Sequence, residues 1–189
     1  MKVLVVAAHP DDEVLGCGGT VERLKREGNN VQHFILGGGR GDPLDNQFDK
    51  RPLLFWVKVV EHEIIRVKPD IIFTHYEKDL NIDHRITYQA VITAARPQPD
   101  CCVKEIYSFE IPSSTEWSFP TSFSPDVFYA IEQNDITHKQ AIMCDTYKEE
   151  MRDSPHPRSE QGIYILARYR GMQVGCDYAE AFKTVRVIR

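Results

Sequence analysis

The apolar residues of this chain gather in short unbroken runs, separated by longer stretches where they recur every three or four positions. Residues 3–8 form such a run of Val, Leu and Ala, the pattern of a strand buried on both faces of a parallel sheet. Pro10 has no N–H to offer a ladder, so this strand is predicted to stop at His9. Residues 14–27 read as a helix closed by Gly28, 31–36 as a second strand, 53–67 as a helix and 69–75 as a third, buried strand. A helix over about 85–95, stopped near Pro97, leads to a strand at 103–109. An extended segment at 126–131 precedes helices at 134–151 and 157–170, the second ended by Gly171, and a closing strand at 184–188. Strands alternating with helices predict an α/β fold: a Rossmann-like, mainly parallel sheet with helices on both faces, spanning residues 1–189 as a single domain.

Two loops interrupt this pattern with clustered chemistry. The first strand runs straight into His9, Asp11, Asp12 and Glu13, at the strand end where open α/β sheets form their binding crevice. Consecutive carboxylates disfavour one another unless a cation offsets them, which points to a divalent metal. Asp11 or Asp12 as a plain helix cap is the simpler reading, but it leaves the proline-locked His9 unexplained. Gly16, Cys17, Gly18 and Gly19 fall inside the helix rather than in the turn before it, so this is not a nucleotide loop. After the third buried strand, residues 76–84 form another acidic loop that ends in Asp83 and His84. Alone, Asp83 would be a helix cap and His84 an exposed first-turn residue. With the first loop, His9, Asp12 and His84 make a set of two nitrogens and one carboxylate, and catalytic zinc uses three ligands of these types.

The stretch Ala8-His-Pro-Asp-Asp-Glu13 with Gly16-Cys-Gly-Gly19, then Asp79-x-Asn-x-Asp-His84, resembles the LmbE-like or PIG-L family of zinc-dependent de-N-acetylases. Pro155-His-Pro-Arg-Ser-Glu160 and the segment 167–182 agree with it, so the resemblance runs the length of the chain. It implies that His9, Asp12 and His84 hold one zinc ion, that Asp11 is the general base, and that the substrate is an N-acetylated amino sugar or its conjugate. Where many members carry a histidine, this chain has Asn81, which can donate to an oxyanion but cannot shuttle a proton. His156, between Pro155 and Pro157, is the candidate replacement as proton carrier; a loop histidine stiffened by prolines is the competing reading. Residues 37–49 are compact where relatives insert a helix and a strand. This segment and loop 110–120 follow strand ends, making Arg40, Asp49, Glu110 and Trp117 candidate sugar contacts, with Arg158 as a further donor. Asp83, Glu110 and Glu13 are candidates to orient the ligand histidines from behind.

Composition narrows the remaining classes. A formal net charge of -5 supplies no basic face for nucleic acid. No apolar run is long enough for a membrane span, and the first strand lacks the form of a secretory signal. Five cysteines, Cys101 and Cys102 adjacent and none in paired CxxC spacing, read as reduced thiols of a cytoplasmic protein rather than zinc ligands. The expectation is a metal hydrolase acting on a small N-acetylated sugar, with zinc or another divalent ion, and a homo-oligomer left open. The alternatives are hydrolysis of another small amide such as an N-formyl group, and a metal-bearing binding module without catalysis.

Overall fold

The computed structural model describes residues 1–39, 43 and 46–189. Its strands are β1 (Lys2–Ala7), β2 (Asn30–Ile35), β3 (Ile71–His75), β4 (Glu105–Phe109), β5 (Val127–Ile131) and β6 (Tyr178–Val187). Its helices are α1 (Asp12–Arg26), α2 (Leu53–Val67), α3 (Ile82–Ala94), α4 (Gln133–Asp145) and α5 (Glu160–Val174). One sheet runs in the order β2-β1-β3-β4-β6-β5. The first four of these are parallel, while β6 is antiparallel to both β4 and β5.

The unbroken apolar run of β1 is explained by burial on both faces, since Val3 to Ala8 are fully buried. Val3 and Val5 pack with α1, α4 and α5, while Leu4 and Val6 pack with α2 and α3 on the other side. The predicted mainly parallel sheet with helices on both faces is what the chain forms. With β2 and β3 on opposite sides of β1, the connections after β1 and after β3 diverge, and a crevice opens at the carboxyl ends of these strands. α1 lies close to the sheet there: a side chain at Gly16 would put its Cβ 2.4 Å from the Phe109 ring.

Several boundaries differ from the sequence expectation, three of them by enough to matter. The helix expected over 134–151 stops at Asp145 and is followed by a 3-10 turn, Lys148–Glu150. Between them, the Tyr147 hydroxyl donates to Glu13 Oε1 at 2.8 Å, a tertiary bond that draws the segment towards the end of β1. α5 runs through Gly171 and ends at Gly175, whose φ of 74° provides the left-handed cap. The last strand therefore begins at Tyr178, not 184, and its first half pairs with β5.

A buried ion pair anchors α1. The helix kinks at Cys17 (φ -150°, ψ 20°), so the N–H groups just beyond it resemble a new helix start without partners. Glu180 of β6 accepts them, from Gly19 at 3.0 Å and Thr20 at 2.6 Å. Lys139 of α4 completes the arrangement, donating to Glu180 Oε1 at 2.7 Å and to the Leu15 carbonyl at 2.8 Å. Both charged groups are buried. Removing one partner of such a pair costs about 3–5 kcal/mol, because the other charge is left unmatched. Urea unfolding of Lys139→Met should show a loss of that order, and adding Glu180→Gln should recover part of it. A Lys139→Met variant as stable as the parent would mean that the pair does not anchor the helix.

Candidate metal centre

The site is built where β1 and β3 end. After Ala7 the chain turns through His9 and Pro10, and Asp11 adopts φ 106°, ψ -33°, a conformation rarely open to residues with a side chain. Asp11 stands at the N-cap position of α1, yet its side chain caps nothing there. Asp12 and Glu13 occupy the first helical turn, where carboxylates favour the helix dipole. Asp12 Oδ2 also accepts the His9 N–H at 2.9 Å, which closes the turn. After β3, Asn81 caps α3 by accepting the Asp83 N–H at 2.8 Å. Asn81 thus takes the capping place expected of Asp83, and both Asp83 and His84 face inward.

One donor atom each from His9, Asp12 and His84 lies within 4.8 Å of the others. Asp12 Oδ2 is 3.3 Å from His9 Nδ1 and 3.3 Å from His84 Nε2. The far nitrogen of each ring is held by a second carboxylate: His84 Nδ1 is 3.0 Å from Asp79 Oδ1, and His9 Nε2 is 3.2 Å from Asp83 Oδ2. With those nitrogens donating, the remaining lone pairs turn towards Asp12, as in histidines that bind metal. Asp12 Oδ1 is buried and has no hydrogen-bond partner among the described residues. A carboxylate oxygen left unmatched beside two oriented imidazoles fits a divalent cation, and N/O donors of this kind suit zinc.

The electrostatics agree with that fit. Burial works against a charged ring at His9, yet hydrogen bonds to Asp12 and Asp83 raise it to about 10. Burial likewise opposes charge on His84, but Asp12 and Asp79 lift it to about 9. Burial would raise Asp12, but the charge of His84 and the hydrogen bonds from the His84 and His9 rings hold it well below the usual carboxylate range. Asp79 goes down to about 2 against its own burial, held by His84, Ser114 and Thr115. The carboxylates thus favour positive charge at their centre, whether carried by protons or by a metal.

Asp11 is different. Burial and the charge of Asp12 push it up to about 8, partly countered by Arg158. Arg158 Nη1 donates to Asp11 Oδ2 at 2.9 Å, while its Nε donates to the Pro112 carbonyl at 3.2 Å and to Ser113 Oγ at 2.9 Å. A cavity of about 730 Å³ opens beside this group, lined by His9, Asp11, Asn81, His84, Arg158 and the segment 145–150. Gly39, with φ 78°, lets the chain pass so near Pro10 that a Cβ would come within 2.9 Å of its ring.

The other candidate residues are distributed as follows. His156 lies on the 155–158 turn, with Nδ1 accepting the Arg158 N–H at 3.1 Å and its ring edge-on to Trp117 at 5.5 Å. Burial, Arg152 and Arg158 lower its pKa. Trp117 remains 41% exposed, and neither it nor His156 is among the residues that line the cavity. Asp49 is exposed on a 3-10 turn, Phe48–Lys50, and does not line the cavity. Glu110 turns away into a two-point ion pair with Arg170, at 2.7 and 2.6 Å, beneath α5. Glu13 serves the turn itself, accepting from the Asp11 N–H at 3.1 Å and from Tyr147. Arg40 lies outside the described residues. Sequence reasoning missed Asp79, His75 and the 145–150 wall; the first stood in the quoted motif, and its spacing of five before His84 was the available signal.

Loss of a carboxylate behind a ligand histidine typically costs 10–100-fold in metal affinity. Asp79→Ala, which leaves all three donors in place, should weaken zinc binding by about that factor in a chelator competition. His84→Ala should lose stoichiometric metal altogether, and retention by that variant would remove His84 from the ligand set.

Residues 4–52 match the family described as PIG-L, GlcNAc-PI de-N-acetylase. An uncharacterized deacetylase of Escherichia coli (strain K12), YaiS, is 26% identical over 172 residues, covering 75% of this chain and 88% of that protein. Among solved structures, N,N'-diacetylchitobiose deacetylase from Pyrococcus horikoshii shares the fold with a TM-score of 0.68 at 18% identity, over 97% of this chain and 83% of that one. GalB, the 4-carboxy-2-hydroxymuconate hydratase of Pseudomonas putida KT2440, shares it with a TM-score of 0.75 at 20% identity, over 100% and 98%. One fold thus serves a deacetylase and a hydratase, and the shape alone does not choose the reaction. Taken with the His-Pro-Asp-Asp and Asp-x-Asn-x-Asp-His loops at the ends of β1 and β3, the match over residues 4–52 makes the chain similar to the PIG-L family of deacetylases.

Proposed function

We propose that the chain removes the acetyl group from an N-acetylated amino sugar or sugar conjugate, with zinc held by His9, Asp12 and His84. The observation that carries this reading is Asp11: a buried carboxylate beside the donor set, strained in its backbone, unused as a cap and gripped by Arg158. A non-catalytic metal module has no need of such a group. The sugar class follows the family match and the deacetylase neighbours.

A zinc ion bound at this set supplies Lewis-acid activation of water and of the acyl carbonyl. Asp11 accepts the proton of the attacking water. Arg158 fixes its Oδ2, which leaves Oδ1 for that proton. The oxyanion formed at the carbonyl needs a further donor. Asn81 and Arg158 both border the cavity, and since Asn81 Oδ1 faces the Asp83 N–H, its amide nitrogen is the end that donates. His156 Nδ1 accepts a backbone N–H, so the neutral ring carries its proton on Nε2. In that form His156 donates a hydrogen bond, and Asp11 returns the proton to the departing amine. The proton-carrier role read from the sequence thus passes to Asp11 in this mechanism. The exposed Trp117 ring beside His156 is the candidate surface for stacking a sugar face.

Asp11→Asn should keep one zinc per chain and lose about 10²–10⁴-fold in kcat, measured as acetate released. Loss of the metal in that variant would make Asp11 a ligand, and a normal rate would reject it as the base. His156→Gln should lower kcat by less and keep both limbs of the pH–rate profile; loss of the alkaline limb would return the proton-carrier role to His156. A screen of the zinc-loaded protein against N-acetylated sugars, sugar nucleotides and glycolipids should release a free amine together with acetate. If no substrate releases an amine while an unsaturated hydroxy acid gains water, the reaction class is that of the hydratase.

A further inference from the structure

His75 ends β3 and is fully buried, yet it stands outside the His9–Asp12–His84 set. Its ring stacks on that of His84, centroids 4.0 Å apart, and meets the Phe109 ring edge-on at 4.9 Å. Its Nε2 accepts the Ala8 N–H at 2.9 Å and lies 3.4 Å from Asp12 Oδ2. A nitrogen that accepts a hydrogen bond has its lone pair engaged, so this atom is not a fourth metal donor in this arrangement. The ring proton then sits on Nδ1, which is buried without a partner among the described residues. An unmet buried donor destabilises a fold, and an apolar side chain here would avoid it. A histidine retained at that cost calls for a reason.

The reason lies in the Ala8 N–H. The pairing of β1 with β2 ends at Ala7↔Ile35, and that with β3 at Val5↔Phe73, so Ala8 lies beyond both ladders. Its N–H is buried and needs an acceptor. A charged acceptor, Asp12 Oδ2, lies 3.4 Å from the His75 atom that takes the bond. That oxygen already accepts the His9 N–H. A second backbone donor on the same carboxylate would occupy another lone pair and spread its charge, weakening it towards a cation.

We infer that His75 is a positioning residue that takes up the Ala8 N–H and so keeps the Asp12 carboxylate available to a metal held by His9, Asp12 and His84. Its consequence for metal binding rests on the zinc reading above, whereas the hydrogen bond itself does not. In uniformly ¹⁵N-labelled protein, a through-hydrogen-bond nitrogen–nitrogen coupling should connect the Ala8 amide with His75 Nε2, both metal-free and zinc-loaded. No coupling in the metal-free protein, or its loss on loading, overturns the inference without touching the ligand set. Zinc affinity by chelator competition should fall about 10–100-fold in His75→Phe, with an altered Co²⁺ absorption spectrum. His75→Gln, whose Oε1 can accept the same N–H, should stay within a few-fold of the parent. Unchanged affinity in His75→Phe, or equal loss in both variants, overturns the inference; if His75→Phe fails to fold, the coupling and His75→Gln decide. A parent protein that binds no zinc would instead overturn the metal reading.

Discussion

Negative charge packed out of water at the ends of β1 and β3 is the constraint on which the rest of the site depends. Asp12, Asp79 and Asp83 are all buried, and a buried carboxylate is tolerated only when hydrogen bonds and positive charge meet it. Each has its own support. Asp79 accepts from the Ser114 and Thr115 hydroxyls, Asp83 accepts the Phe48 N–H at 3.1 Å, and Asp12 accepts the His9 N–H. What these bonds leave over is directed at two imidazoles and the space between them. A cation there does more than assist chemistry: it matches a charge that the fold has concentrated on purpose-built supports.

Those supports also tie distant parts of the chain to one place. Ser114 and Thr115 belong to the loop after β4, and the same loop offers the Pro112 carbonyl and Ser113 Oγ to Arg158. Arg158, from the turn before α5, then reaches back to Asp11. One loop therefore steadies His84 through Asp79 and Asp11 through Arg158. Behind them α1 is held against the sheet by the Lys139–Glu180 pair and by the close approach at Gly16. The relative position of Asp11 and Asp12 is set by a strained turn at one end and a pinned helix at the other. Such a frame limits the motion available to the pair, which is what a proton acceptor beside a metal requires.

How much of this the sequence carries depends on the range of the interaction. β1 was legible because burial on both faces leaves an unbroken apolar run, and His9 and Asp12 because they follow it within a few residues, whereas Glu13, read as a support for a histidine, bonds to the Asp11 N–H and Tyr147. His84 was legible for the same reason after β3. Asp79 was present in the quoted motif yet unassigned, since only the fold turns it onto His84. His75 was read as a strand residue, and nothing local signals that its ring stacks on His84. Asn81 takes the helix cap that Asp83 could equally have filled, while Asp83, read as a candidate to orient a histidine, lies against His9. Glu110 was placed with the substrate because its partner Arg170 lies sixty positions on. The early end of α4 has the same origin in a long-range bond, from Tyr147 to Glu13.

The fold likeness to both a deacetylase and a hydratase moves the question of reaction from architecture to the groups around the cation. Both reactions need an activated water and a base, and in this chain the donor atoms of His9, Asp12 and His84 lie within 4.8 Å of one another, with Asp11 next to them in the chain. They part company afterwards. Amide cleavage develops charge on a carbonyl oxygen and must protonate a poor leaving nitrogen, whereas hydration must protonate carbon with nothing leaving. Donors that face the cavity from the wall around Asp11 therefore bear on the choice more than the ligands do. Arg158 and the Asn81 amide answer the first requirement, as fixed donors for an oxyanion. Asp11, held by Arg158 at 2.9 Å and bordering the same cavity, bears on the second, since a carboxylate that takes a proton there can return it. On these grounds the walls of the cavity, more than the donor set, bear on whether water is added to an acyl group or to a double bond.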